Sequence, residues 1–260
     1  MTAPGRCGAA VVRGCPGGPG LTSVPLVLTN AVYDDFAESY AKHSEDGSVN
    51  AYLDRPAILG LAGDLADVPV LELGCAAGVL SEQLVARGAD LIALDREPRM
   101  VELARRRVGA AARFAVADLG RPPVPVPTGS VELVIASLVL HYVEDWGPLL
   151  AELRRCLAPG GALVFSIHHP SFDWRRHGGA DYWSTALVGE TWTIGGERIE
   201  VSFYRRPLAS VFGALREAGF AVEAVEEPQP LPELRELDPE TFSVLTAEPL
   251  LLHVRAVAPG

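Results

Sequence analysis

Between residues 69 and 167 the chain repeats one unit: a short apolar run, then a stretch with apolar residues at helical spacing. The runs lie at 69–73, 91–95, 113–118, 131–137 and 162–167, and further ones lie at 221–225 and 250–257. A run that is apolar at successive positions has two faces to cover, and helices between strands provide that cover and let the strands run parallel. The pattern therefore predicts an α/β chain: a doubly wound, mostly parallel, seven-stranded sheet. Helices are expected at 51–66, at 80–85 closed by Gly88, at 100–108, at 148–157 stopped by Pro159-Gly160-Gly161, and at 208–218 ended by Gly219. The Pro-rich stretch 121–127 reads as a surface loop. No convincing helix separates the last two strands, which leaves antiparallel pairing open to them.

Residues 1–30 stand apart. Gly14 and Pro16-Gly17-Gly18-Pro19-Gly20 occupy the place where a secretory signal would need a continuous apolar stretch of roughly 7–15 residues. We expect a flexible tail there and one domain over 31–260, with 171–206 as an insertion. No stretch approaches the roughly 20 apolar residues of a membrane helix. The net charge of −11 argues against a protein that wraps nucleic acid. Cysteines at 7, 15, 75 and 156 are too scattered for a disulfide framework or a zinc site, so no metal is expected and the location expected is cytoplasmic.

In open α/β sheets, ligands bind beyond the carboxyl ends of the strands, beside the first strand. The turn there reads Leu71-Glu72-Leu73-Gly74-Cys75-Ala76-Ala77-Gly78. It is not the G-x-G-x-x-G of a dinucleotide site, and Glu72 would repel a pyrophosphate while suiting a cationic ligand or an ammonium group. Asp95 closes the second run, where a carboxylate can accept from both hydroxyls of a ribose. Asp118 closes the third, where it could accept from an exocyclic amine. The ligand so described has a ribose, an amine-bearing base and a cationic amino-acid part.

With these residues the sequence resembles the class I S-adenosylmethionine-dependent methyltransferases, more narrowly the bacterial small-molecule members. The resemblance rests on the turn at 70–78, Asp95 followed by Met100, 116–119, 131–137 followed by His141-Tyr142-Val143, and Leu153-Arg154-Arg155-Cys156-Leu157-Ala158-Pro159-Gly160-Gly161. Tyr33 and Tyr40 ahead of the sheet and His168-His169-Pro170 after the fifth strand point to the narrower group. Ala76 departs from the glycine of many members, and Glu132 from the commoner Asp. The resemblance implies a Rossmann-like methyltransferase fold and S-adenosyl-L-methionine as cofactor. It places Glu72 and Gly74 at the methionine part and Asp95 at the ribose, and counts Cys75, Ala76, Gly78 and Arg96 among the cofactor-binding residues. Asp118 and Leu119 fall at the adenine, Met100 packs on the ring, Tyr33 and Tyr40 close over the cofactor, and Ser137 completes the set.

The acceptor expected is a small molecule, on a monomer or a homodimer, with no nucleic acid or membrane partner. The insertion carries Trp174, Trp183, Trp192, Tyr182 and Tyr204, with a hairpin at 191–204 turning at Gly195-Gly196. Such an aromatic lid could cover the acceptor or simply anchor itself to the body. An acceptor O–H or N–H must lose a proton, and an imidazole suits that task. His169 is the first candidate, His141 the second and His168 the third. Three other readings compete: a non-methylating enzyme such as a cyclase on the same cofactor pocket, a nicotinamide oxidoreductase, and a non-catalytic binding module. The missing third glycine and Glu72 disfavour the oxidoreductase.

Overall fold

The computed structural model describes residues 41–42, 44–194 and 196–260. A π-helical turn, Asn50–Asp54, leads into α1 (Arg55–Ala62). The repeating unit then follows: β1 (Pro69–Leu73), α2 (Val79–Ala86), β2 (Asp90–Asp95), α3 (Pro98–Val108), β3 (Ala112–Val116), β4 (Val131–Ala136), α4 (Trp146–Cys156) and β5 (Leu157–His168). After β5 come α5 (Pro170–Arg176), β6 (Ala186–Ile194), β7 (Glu197–Arg205), α6 (Leu208–Glu217), β8 (Ala221–Glu226), α7 (Leu234–Leu237), α8 (Pro239–Ala247) and β9 (Leu251–Val257).

Seven strands form one sheet in the order β3-β2-β1-β4-β5-β9-β8. The first five are parallel, and β9 runs antiparallel to both β5 and β8. The fold is thus α/β and doubly wound, and its order reverses on either side of β1, which puts a crevice between the carboxyl ends of β1 and β4.

Alternation along each strand assigns its residues to faces. Leu71, Leu73, Leu94, Val134, Ala136, Phe165 and Val254 join α4 and α6 in one core, while Val70, Leu91, Ala93, Leu133, Ile135 and Val164 join α1, α2 and α3 in the other. By the same parity Glu72, Asp95, Ser137, Ser166, His168 and His253 fall on the α1–α3 face. That face carries a cluster of polar residues towards the carboxyl edge, where an apolar layer is no longer needed and a ligand can sit.

Several boundaries differ from the sequence reading. Residues 63–66 are not helical. The 121–127 stretch is not simply a surface loop: Val124 and Val126 are buried against α4, and the Val124 N–H donates to Glu152 Oε1 at 2.9 Å. Two apolar side chains flanked by prolines gain more from burial than from exposure. Helix α4 starts earlier, at Trp146, because Asp145 accepts the Gly147 N–H. It ends at Cys156, and β5 begins at once, running through Pro159-Gly160-Gly161 with a register shift against β4. Gly161 is required there, since a Cβ would meet Glu132 O at 2.9 Å. The hairpin is longer than expected, pairing Ala186 with Arg205 through Ile194 with Glu197 as a separate two-stranded sheet. Helices α7 and α8, which no periodicity announced, pack on the π-helical turn through Leu53, Leu234, Leu245 and Leu251.

Candidate active site

The turn after β1 is shaped by backbone geometry. Gly74 and Gly78 have φ of +70° and +82°, a region open to glycine at no steric cost. Both are also close contacts. A Cβ on Gly74 would lie 2.6 Å from Val139 Cγ2, and one on Gly78 would lie 2.9 Å from Ala104 Cα. Gly74 therefore lets the segment after β4 approach the turn, and Gly78 lets α2 approach α3. Ala76, at φ +44°, occupies the left-handed region without being glycine. Its N–H donates to Asp95 Oδ2 at 2.9 Å, and Asp95 Oδ1 accepts from Glu97 N–H at 2.9 Å. Asp95 thus ties the first turn to the second. Burial raises its pKa, against the pull of those two backbone bonds.

Glu72 is 1% exposed and accepts from Ser81 Oγ of α2 at 2.5 Å. Burial pushes its pKa up to about 7; the Ser81 hydroxyl holds it down and the charge of Asp95 raises it further. It lies one layer beneath the turn. Cys75 is buried, and burial raises its thiol pKa. Met100 is buried with Ala77, and Ala41, Ala76 and Leu103 pack around them. A hollow of about 340 Å³ lined by Ala41, Ala77, Leu103, Arg106 and Arg107 opens beside this cluster. Arg96 is exposed and pairs with Glu97 at 3.0 Å.

Asp118 lies two residues beyond the end of β3. It accepts from Gly120 N–H at 2.9 Å and pairs with Arg121 at 3.5 Å. Leu119 is buried in the α4 core beside Val124 and Val126. Tyr33 and Tyr40 fall outside the described residues. Ser137, at the end of β4, donates to Asp54 Oδ2 at 2.5 Å.

The three histidines lie beyond the ends of β4 and β5, in different surroundings. His141 sits in the 3-10 turn Leu140–Tyr142 and is stacked on His168, ring centroids 4.4 Å apart. Burial lowers its pKa well below the ordinary value, and His168 and Arg206 add to the effect. His168 ends β5, with its Nδ1 3.5 Å from Asp173 Oδ1. His169 is engaged at both ring nitrogens. Nδ1 caps α5 by accepting from Ser171 N–H at 3.2 Å, and Nε2 lies 2.9 Å from Glu227. Burial lowers its pKa, and Glu227 opposes that.

Phe203 of β7 is the side chain with which the lid meets this group. Its ring lies edge-on to His141, His168 and His177, at 5.6, 4.6 and 5.7 Å. The other lid aromatics divide. Trp174 and Tyr182 pack together and the Tyr182 hydroxyl accepts from Leu208 N–H, whereas Trp183 is 77% exposed. Sequence reasoning missed Phe203, His177 and Asp173. Alternation along 197–205 was the signal available for Phe203.

The donor set fits a ligand with a cationic end and a diol. Two carboxylates, Glu72 and Asp95, stand beside a turn without phosphate-binding glycines, and no described Lys or Arg side chain makes a salt bridge to either. Residues 71–165 match the methyltransferase domain family. A malonyl-[acyl-carrier protein] O-methyltransferase of Serratia marcescens is 34% identical over 109 residues, 42% of this chain and 42% of its own. A trans-aconitate 2-methyltransferase of Methylobacterium nodulans is 41% identical over 105 residues, 39% of each chain. The chain thus spans about two-fifths of the length of these curated relatives. In structure, an S-adenosylmethionine-dependent methyltransferase of Mesorhizobium loti superposes with a TM-score of 0.64 at 24% identity, over 82% of this chain and 98% of that one.

Proposed function

From the methyltransferase domain that residues 71–165 carry, we propose that this chain is an S-adenosylmethionine-dependent methyltransferase acting on a small molecule. The observation that carries the reading is the pairing of Asp95 with the glycine turn. A carboxylate at the end of β2, held by two backbone N–H groups, keeps lone pairs for a ribose, while buried Glu72 adds a second carboxyl group beneath the turn. The cofactor, when bound, supplies a methyl group on a positively charged sulfur, open to in-line displacement.

The residues of this chain then have three tasks. Glu72, Asp95 and the turn 74–78 bind and orient the cofactor, with Met100, Tyr33 and Tyr40 as further contacts. Positioning supplies most of the rate in such a displacement. The lid hairpin, through Phe203, excludes water above the histidines. An imidazole takes the acceptor proton where the acceptor has one to lose. Of the three candidates His168 is favoured, because both nitrogens of His169 are engaged and His141 is sealed within the protein.

The relatives are named for malonyl-[acyl-carrier protein] and for trans-aconitate, so organic acids, free and carrier-bound, are the first acceptors to screen. Among the described residues no helix is long and apolar enough to cross a membrane, and the location proposed is cytoplasmic. The chain is proposed to work as a monomer or homodimer, without nucleic acid, with 171–206 as its lid and 31–260 as one domain.

The test is turnover of S-adenosylmethionine against panels of organic acids, phenols and amines, read by product mass. A product heavier by one methylene supports methyl transfer. A product of unchanged mass replaces it with a non-methylating reaction such as cyclisation.

A further inference from the structure

Asp54 and His253 are sealed inside the protein, 1% and 0% exposed. They are 199 positions apart in sequence, yet His253 Nε2 lies 3.0 Å from Asp54 Oδ1. The other carboxylate oxygen accepts from Ser137 Oγ. A carboxylate only accepts, so the bridging hydrogens come from the Ser137 hydroxyl and from His253 Nε2. Arg55, the next residue, turns its guanidinium to the carbonyls of Ser44 and Glu45, 2.6 Å away. Apolar side chains in these three places would avoid the desolvation cost of a buried polar group. The trio therefore asks for a purpose other than stability.

What it holds is the path of the chain after β4. Leu138, next to Ser137, sits at φ +48°, a conformation a branched side chain keeps only when its surroundings impose it. Its N–H donates to Ser166 Oγ at 3.0 Å, and Ser166 pairs in register with His253. Val139 then fills the space above Gly74 that a Cβ would claim. The π-helical turn aims Asp54 inward, and such turns recur where geometry serves a site.

We propose that Asp54 and His253 are positioning residues of the cofactor site. Through Ser137 they clamp residues 137–139 in the conformation that seats Val139 on Gly74. The proposal rests on the S-adenosylmethionine reading of that site. Neither residue touches the cofactor, and their effect passes through Ser137.

The test is calorimetric titration of the full chain with S-adenosylhomocysteine, with thermal melting of each variant alongside. Asp54→Ala and Ser137→Ala are each expected to weaken binding about tenfold, and the double variant to bind no worse than about twofold below either, because groups in one network do not add. Asp54→Asn, whose amide can accept from Ser137 and donate to His253, is expected to stay within about threefold of wild type. Should Asp54→Ala fail to fold, His253→Phe takes its place: a ring of similar size that cannot donate is expected to weaken binding about threefold, and to do so only while Ser137 is present. Variants that melt earlier but bind as wild type, or losses that add, overturn the clamp. Wild-type protein that binds no S-adenosylhomocysteine overturns the cofactor reading, and the clamp with it.

Discussion

The backbone N–H of Ala76 donates to the carboxylate of Asp95, so the turn after β1 and the end of β2 are one hydrogen-bonded unit. Ala76 pays for its place in that unit with a left-handed φ of +44°. Such a conformation costs a non-glycine residue about 1–2 kcal/mol. Ala76→Gly is therefore expected to relieve the strain without removing the N–H, raising stability by up to about 1 kcal/mol after the entropy glycine adds to the unfolded chain. Denaturant titration reads this, and a variant less stable than wild type would show that Ala76 sits there without strain.

Gly74 is the opposite case. Gly74→Ala sets a methyl 2.6 Å from Val139 Cγ2 and adds a Cβ at φ +70°. A loss of about 2–4 kcal/mol is expected from overpacking and backbone strain together. Val139→Ala in the same chain should recover only a fraction of the overpacking, because the Val139 Cβ that it keeps still lies 2.8 Å from the new methyl. Full recovery would mean that the backbone conformation contributes nothing.

Glu72 gives the protein a dependence on pH. Its folded pKa, about 7, lies above the ordinary glutamate value of 4.5, so the carboxyl stabilises the fold relative to its ionised form while protonated. That contribution is complete below pH 4.5 and lost as pH rises to about 7. The loss is of order 3 kcal/mol at its upper limit. Glu72→Gln keeps an acceptor for Ser81 and does not titrate, so its stability relative to wild type should climb between pH 4.5 and 7 and then level off. A difference flat across that window would show that Glu72 stays ionised in the folded protein.

Phe203 ties the hairpin to the histidines, and it is 1% exposed. Phe203→Ala should cost about 3–5 kcal/mol where the whole fold feels the cavity. Should the lid open on its own instead, limited proteolysis within 186–205 will accelerate with little change in global melting. Unchanged proteolysis and melting together would remove Phe203 as the anchor.

The strands were legible in the sequence to within a residue or two through β4, because each is a short apolar run bounded by turn residues. The glycine turn and Asp95 were legible for the same reason. Alternation along β1 turns Glu72 towards α2 and Ser81, a consequence of period two that reading the turn as a linear motif overlooks. The cap that His169 makes on α5 was also legible, since a residue before a proline at the first helical position is a natural cap. Asp54 and His253 were out of reach, since nothing local links positions 199 apart. Helices α7 and α8, four and nine residues long, are too short to declare a period.

The central claim is that the turn 74–78 and Asp95 bind S-adenosylmethionine, and the most direct measurement is calorimetric titration of the purified protein with S-adenosylhomocysteine, with NAD as the control. Binding in the micromolar range is expected, with no binding of NAD and loss of the S-adenosylhomocysteine signal in a folded Asp95→Ala variant. A wild-type protein that melts cooperatively and yet binds no S-adenosylhomocysteine would contradict it.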